Sequence, residues 1–119
     1  MTTREYPTGP AAAALIAVGV GLVALAISHL LAELATPLKE AIHAIGKAWM
    51  PGAAGIGPYA GKETIALVAW LGTWLILHLL WKRRAISVTT GAIVCLVLLG
   101  VATTLLWPPV TEHLVELVR

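Results

Sequence analysis

The chain has 119 residues, 59% hydrophobic and 12% charged, with a formal net charge of +2, whereas an average soluble domain has roughly a quarter of its residues charged. A core of the size this length allows cannot absorb so much apolar surface, so lipid is the solvent for most of it. Phe, Asn, Gln and Asp are absent altogether, which removes much of the polar vocabulary of enzymes and proton pumps, and no catalytic identity can be read from what remains.

A bilayer core about 30 Å thick needs about 20 apolar residues at 1.5 Å each. The first stretch that qualifies is residues 11–33, behind a polar tail from Thr2 to Thr8 and a Pro10 suited to the first position of a helix. It ends at Glu33, Thr36 and Pro37. Arg4, the apolar run and the small pair Ala24 and Ala26 resemble a signal peptide. The run is longer than a signal h-region, however, so an uncleaved membrane anchor is expected.

Residues 38–50 carry Leu38, Ala41, Ile42, Ile45 and Trp49 at spacings of three and four, with Lys39, Glu40, His43 and Lys47 on other faces. This pattern predicts an amphipathic helix too short to span, lying in the interface plane. Residues 51–62 form a Gly- and Pro-rich loop. In it, Gly57, Pro58, Tyr59, Gly61 and Lys62 are candidates for docking a partner carboxylate or a lipid phosphate. The loop resembles a Walker phosphate-binding loop only on the surface. Gly57 and Gly61 have three residues between them rather than four, and Glu63 follows Lys62 where Ser or Thr is needed.

The second span, residues 63–81, ends at the basic block Lys82, Arg83 and Arg84. The third, residues 85–107, is stopped by Pro108 and Pro109. Residues 110–119 are a second short amphipathic stretch, with Val110, Leu114, Leu117 and Val118 opposed to Glu112, His113, Glu116 and Arg119. It falls on the same side of the membrane as the first. The expected fold is therefore an all-α integral membrane domain of three transmembrane helices, an interfacial helix between the first two, and a C-terminal amphipathic segment.

Basic residues divide evenly between the two sides: Arg4 with Lys82, Arg83 and Arg84, against Lys39, Lys47, Lys62 and Arg119. The compactness of the block places the amino terminus and the second connection in the cytoplasm, with the carboxyl terminus outside.

Two helices carry stripes of small residues, which let backbones approach closely in lipid. The first span has Ala17, Gly21, Ala24, Ser28 and Ala32; the third has Ser87, Gly91, Cys95 and Ala102. These either join the two spans to each other or meet a partner. The second span differs, with Trp70, Trp74, His78 and Trp81 along one face. Trp81 suits an interfacial anchor, with Trp107 as its counterpart. Trp70 and Trp74 lie deeper, where an indole N–H needs an acceptor. They form either a partner surface or a groove for a quinone, pigment or lipid tail. The packing candidates are thus Ala17, Gly21, Ser28, Trp70, Trp74, Trp81, Gly91 and Cys95.

Imidazoles are the usual axial ligands of haem and common ligands of metals. His29 and His78, with Trp70 and Trp74 beside the latter, are the cofactor candidates. The two histidines sit near opposite surfaces, roughly 20 Å apart by helix rise, so one haem cannot join them within a chain. His29 and Glu33 share a helix face and, with His43 and His113, give residue types that suit Zn or Cu. The single Cys95 excludes a disulfide framework within one chain. No nucleophile has a partner at a readable spacing, and the basic residues are too scattered for nucleic acid.

The expectation is a small non-catalytic accessory or structural subunit of a larger membrane complex, for instance an energy-transducing one. It would require no cofactor, and lipid, quinone or pigment are the ligands its surfaces would suit. Its partners would be membrane lipid and other integral membrane subunits or further copies of itself. A homo-oligomeric pore or holin-like protein is one alternative, and a His-ligated haem or metal electron-transfer subunit is another.

Overall fold

The computed structural model describes residues 7–118, so Arg4 and Arg119 of the charge count lie outside the described residues. Five helices follow in order: α1 (Gly9–Leu34), α2 (Thr36–Lys47), α3 (Tyr59–Trp81), α4 (Val88–Leu106) and α5 (Pro108–Val118), with a 3₁₀ turn at Ala53–Gly55 before α3. No strand occurs among the described residues. Helices α1, α3 and α4 are long and apolar enough to cross a membrane, which fits a multi-pass integral membrane protein.

The breaks between helices have local causes. A helix running on from α1 would drive the Pro37 ring against the Glu33 carbonyl and remove that carbonyl's donor. The chain instead goes extended at Ala35 (φ −149°, ψ 133°), and the Ala35 N–H closes α1 on the Leu31 carbonyl. Pro37 then falls in the first turn of α2, where a missing N–H costs nothing. Pro108 and Pro109 act the same way between α4 and α5. Pro109 cannot donate to the Leu105 carbonyl, and the Thr111 hydroxyl donates to it at 2.7 Å. Thr111 is buried in doing so.

Most boundaries shift by a few residues from those expected, and two of the shifts have a clear local cause. Helix α3 starts at Tyr59 rather than at residue 63, because Lys62 and Glu63 do not stop a helix; the chain turns earlier, at Gly57, whose φ of +74° favours glycine. Helix α4 starts at Val88 rather than at residue 85, because Ser87 caps it, its hydroxyl accepting from the Thr90 N–H at 3.1 Å. Helix α2 ends at Lys47, so Trp49 lies beyond it.

Helix α1 is the middle of the molecule. It packs along α3 on one side and α4 on the other, in a body measuring 62 × 33 × 18 Å. Small residues make this arrangement. A Cβ on Gly21 would stand 2.6 Å from the Trp70 Cβ of α3, and one on Gly19 would stand 2.8 Å from the Leu98 Cδ1 of α4. Two residues of helix turn the chain by about 200°, so these glycines admit neighbours on opposite sides of α1. Gly91 of α4 sits against Ala12.

The stripes read as partner-packing surfaces are therefore occupied within the chain. Ala17, Gly21, Ser28 and Gly91 are buried there, and Cys95 is partly covered where α4 meets Gly19. The outer helices are left open. In the most apolar stretch of α1, 39% of residues are buried, whereas in that of α3 the share is 0%.

Candidate functional site: a polar cleft at one end of the layer

At the end where α1 finishes and α3 begins, the chain places its most unusual side chain. Lys62 lies in the first turn of α3 yet is only 5% exposed. Its Nζ is 3.1 Å from the His29 Nδ1 on α1 and 5.0 Å from the centre of the Tyr59 ring. With Lys62 as an ammonium, which has only donors, the imidazole Nδ1 accepts and His29 is the neutral Nε2–H tautomer.

Three contacts hold this end of α3 in place. Gly61 touches the Ile42 carbonyl of α2 so closely that a Cβ there would come within 1.7 Å of the oxygen. Gly46 of α2 meets Ala60 in the same way. Beyond α2, the Trp49 indole N–H donates to the Thr64 hydroxyl at 3.0 Å, and Thr64 donates in turn to the Ala60 carbonyl. With α2 fixed against Gly61, the next residue in the helix, Lys62, turns towards α1.

Hollows open on both sides of His29. One, of about 230 Å³, is lined by Leu25, His29, Tyr59, Lys62, Glu63 and Leu106. On the side towards α5, His29 and Glu33 share a hollow of about 210 Å³ with Pro108, Thr111 and Glu112. Glu33 also borders a further hollow with Glu112 and Glu116. A cation paired with an imidazole thus stands next to a group of carboxylates, all at one end of the molecule.

The residues singled out in the sequence scatter differently than expected. Gly61 is buried against α2, and Lys62 is buried against α1 while also lining the hollow beside His29; Gly57 and Pro58 are half-buried, and only Tyr59 of that group is exposed. His29, Glu33, His43 and His113 form no single centre, and among the described residues no three His, Cys, Asp or Glu side chains gather where they could hold a metal ion. His29 is engaged by Lys62. His43 has a buried Nδ1 without a hydrogen-bond partner and borders a separate hollow with Thr36, Lys39, Glu40, Gly57 and Pro58. His113 is exposed on α5.

His78 stacks on Trp74, with ring centres 5.4 Å apart. It lies sixteen residues beyond Lys62 on α3, or about 24 Å along the axis, so it is remote from His29. Trp70 and Trp74 are each 39% exposed, Trp81 is half-buried, and Trp107 is exposed at the end of α4.

The Lys62–His29 pair is not visible in the sequence, because charge spacing places Lys62 at the end of a loop rather than inside a helix. The signal was depth. His29 is five residues before the end of α1 and Lys62 three after the start of α3, so antiparallel neighbours of these lengths bring them level. Comparison with protein-family models, curated proteins and solved structures returns no match for this chain.

Proposed function

We propose that the chain is a small, non-catalytic subunit that docks in the bilayer against other integral membrane subunits and contributes packing and lipid contact to their assembly. The observation that supports this most is how much of α3 is left uncovered. Its apolar span has no buried residue, and it carries Trp74 and Trp70, each 39% exposed although Trp70 meets Gly21 of α1 through its Cβ, and neither indole makes a hydrogen bond within the described residues. An N–H left without an acceptor in hydrocarbon costs free energy, and a neighbouring helix supplies both the acceptor and a rigid surface for the ring. The small-residue stripes are already used in joining α1 to α3 and α4, so the aromatic face is the mating surface that remains.

In this reading α2 and α5 lie in the interface at the same side of the membrane. Leu38, Ile45 and Trp49, exposed in the chain, then meet lipid or partner. The Lys82, Arg83 and Arg84 turn faces the cytoplasm.

Purification in mild detergent followed by mass spectrometry tests the proposal. Trp74→Ala is expected to reduce co-purification of the neighbouring subunits several-fold, while Trp107→Ala, which alters only an exposed anchor at the end of α4, leaves it close to wild type. Recovery solely as a homo-oligomer, with conductance in liposomes, would count for the pore instead. A Soret band lost on replacing His29 or His78 would count for a haem protein.

A further inference from the structure

The α1–α3 furrow holds two hollows between the polar end and mid-membrane, and they share Leu25. Its polar part is the hollow lined by Leu25, His29, Tyr59, Lys62, Glu63 and Leu106. Its apolar part, of about 120 Å³, is lined by Val18, Gly21, Leu22, Leu25, Ala66, Leu67 and Trp70. Leu25 borders both. At about 100° per residue, positions 18, 22, 25 and 29 of α1 fall on one narrow face, as do 59, 63, 66 and 70 of α3, so the two hollows lie in line. From His29 to Val18 is eleven residues, about 16 Å along the axis, or half of a hydrocarbon core of about 30 Å. The furrow therefore has the length of one leaflet, with donors at headgroup depth and only hydrocarbon below.

We infer that this furrow is a binding site for a single phospholipid, with its phosphate on Lys62 and one acyl chain lying along Leu25, Leu22 and Leu67 towards Trp70. Charge complementarity favours a phosphate. Lys62 is almost wholly buried, its hydrogen bond goes to neutral His29 rather than to a carboxylate, and its ammonium keeps N–H donors for a second acceptor. Among the described residues the nearby carboxylates, Glu33 included, make no direct ion pair with Lys62, and a phosphate oxygen at the membrane surface would supply that contact. Glu63 at the mouth of the furrow disfavours a second negative charge and matches an amine, so a phosphatidylethanolamine is the head that fits.

The inference rests on the membrane-subunit reading only in requiring α1 and α3 to cross the bilayer, and it is tested apart from any partner. The full chain, purified and stripped of lipid in detergent, is titrated with phosphatidylethanolamine, with a diacylglycerol of the same tails, and with a short-tailed benzoquinone, and bound molecules are counted by native mass spectrometry. One phosphatidylethanolamine per chain is expected, held about tenfold or more tighter than the diacylglycerol. Lys62→Met should abolish that preference and Lys62→Arg keep it. Leu67→Trp, which fills the apolar half from an exposed position, should weaken binding of both lipids while leaving Lys62 in place. Equal binding of the diacylglycerol, binding indifferent to both Lys62→Met and Leu67→Trp, or Lys62-dependent binding of the quinone alone would overturn the assignment. Wild-type chain that binds the lipid but co-purifies with no other membrane subunit would count against the subunit reading and leave this one standing.

Discussion

Gly61→Val is expected to detach α2 from the start of α3 and to destabilise the protein by about 3 kcal/mol, at the upper end of what overpacking costs. The reason is the nature of the neighbour. A Cβ at residue 61 would come within 1.7 Å of the Ile42 carbonyl oxygen, and a backbone oxygen cannot swing aside as the tip of a side chain can. Either α2 moves as a body or α3 unwinds its first turn, and both outcomes pull Lys62 away from His29. A lowered thermal midpoint in detergent, together with faster proteolysis in residues 50–58, is the expected signature. Gly55→Ala is the control, because nothing lies within 4 Å of a Cβ there, and it should leave both readings close to wild type.

The second large effect is at the other end of the molecule. Gly9 opens α1, its N–H donating to the Arg84 carbonyl at 2.9 Å. A Cβ on it would stand 1.8 Å from the Trp81 carbonyl oxygen. The turn from α3 to α4 thus seats directly on the amino-terminal end of α1, where its carbonyls satisfy a free N–H and complement the helix dipole. Gly9→Leu should cost about 3 kcal/mol by the same reasoning, again read as a fall in thermal midpoint. Gly72→Ala, where the space around the Cβ is open, should instead be neutral or raise stability by up to about 1 kcal/mol through helix propensity.

These two positions show where the sequence was informative and where it was silent. The three spans were legible because charge spacing and apolar run length are one-dimensional properties: Lys82, Arg83 and Arg84 mark the end of α3 and the two prolines mark the end of α4 whatever the tertiary structure. The small-residue stripes were legible as packing devices but not as to their partner. Periodicity tells which residues share a face, while the opposite roles of Gly19 and Gly21 depend on which helix lies on each side of α1. The cleft was the least legible part. His29 and Lys62 are separated by 33 positions, and their meeting depends on Gly61 fixing α3 against α2, a contact between a glycine and a carbonyl that leaves no mark in hydropathy. The four histidines, grouped by side of the membrane in the sequence, prove to have different surroundings, because α2 and α5 are separate bodies whose orientation no spacing rule determines.

Three crossings of the bilayer are the claim from which the rest follows, and single-cysteine labelling with a membrane-impermeant maleimide tests it most directly. The one native cysteine makes the background simple: Cys95→Ala, with one new cysteine at a time at Ala54, Arg83 or Leu117, all exposed. Ala54 and Leu117 should label from one face of sealed vesicles and Arg83 from the other. Labelling of all three from a single face, or of Leu117 together with Arg83, would contradict the account.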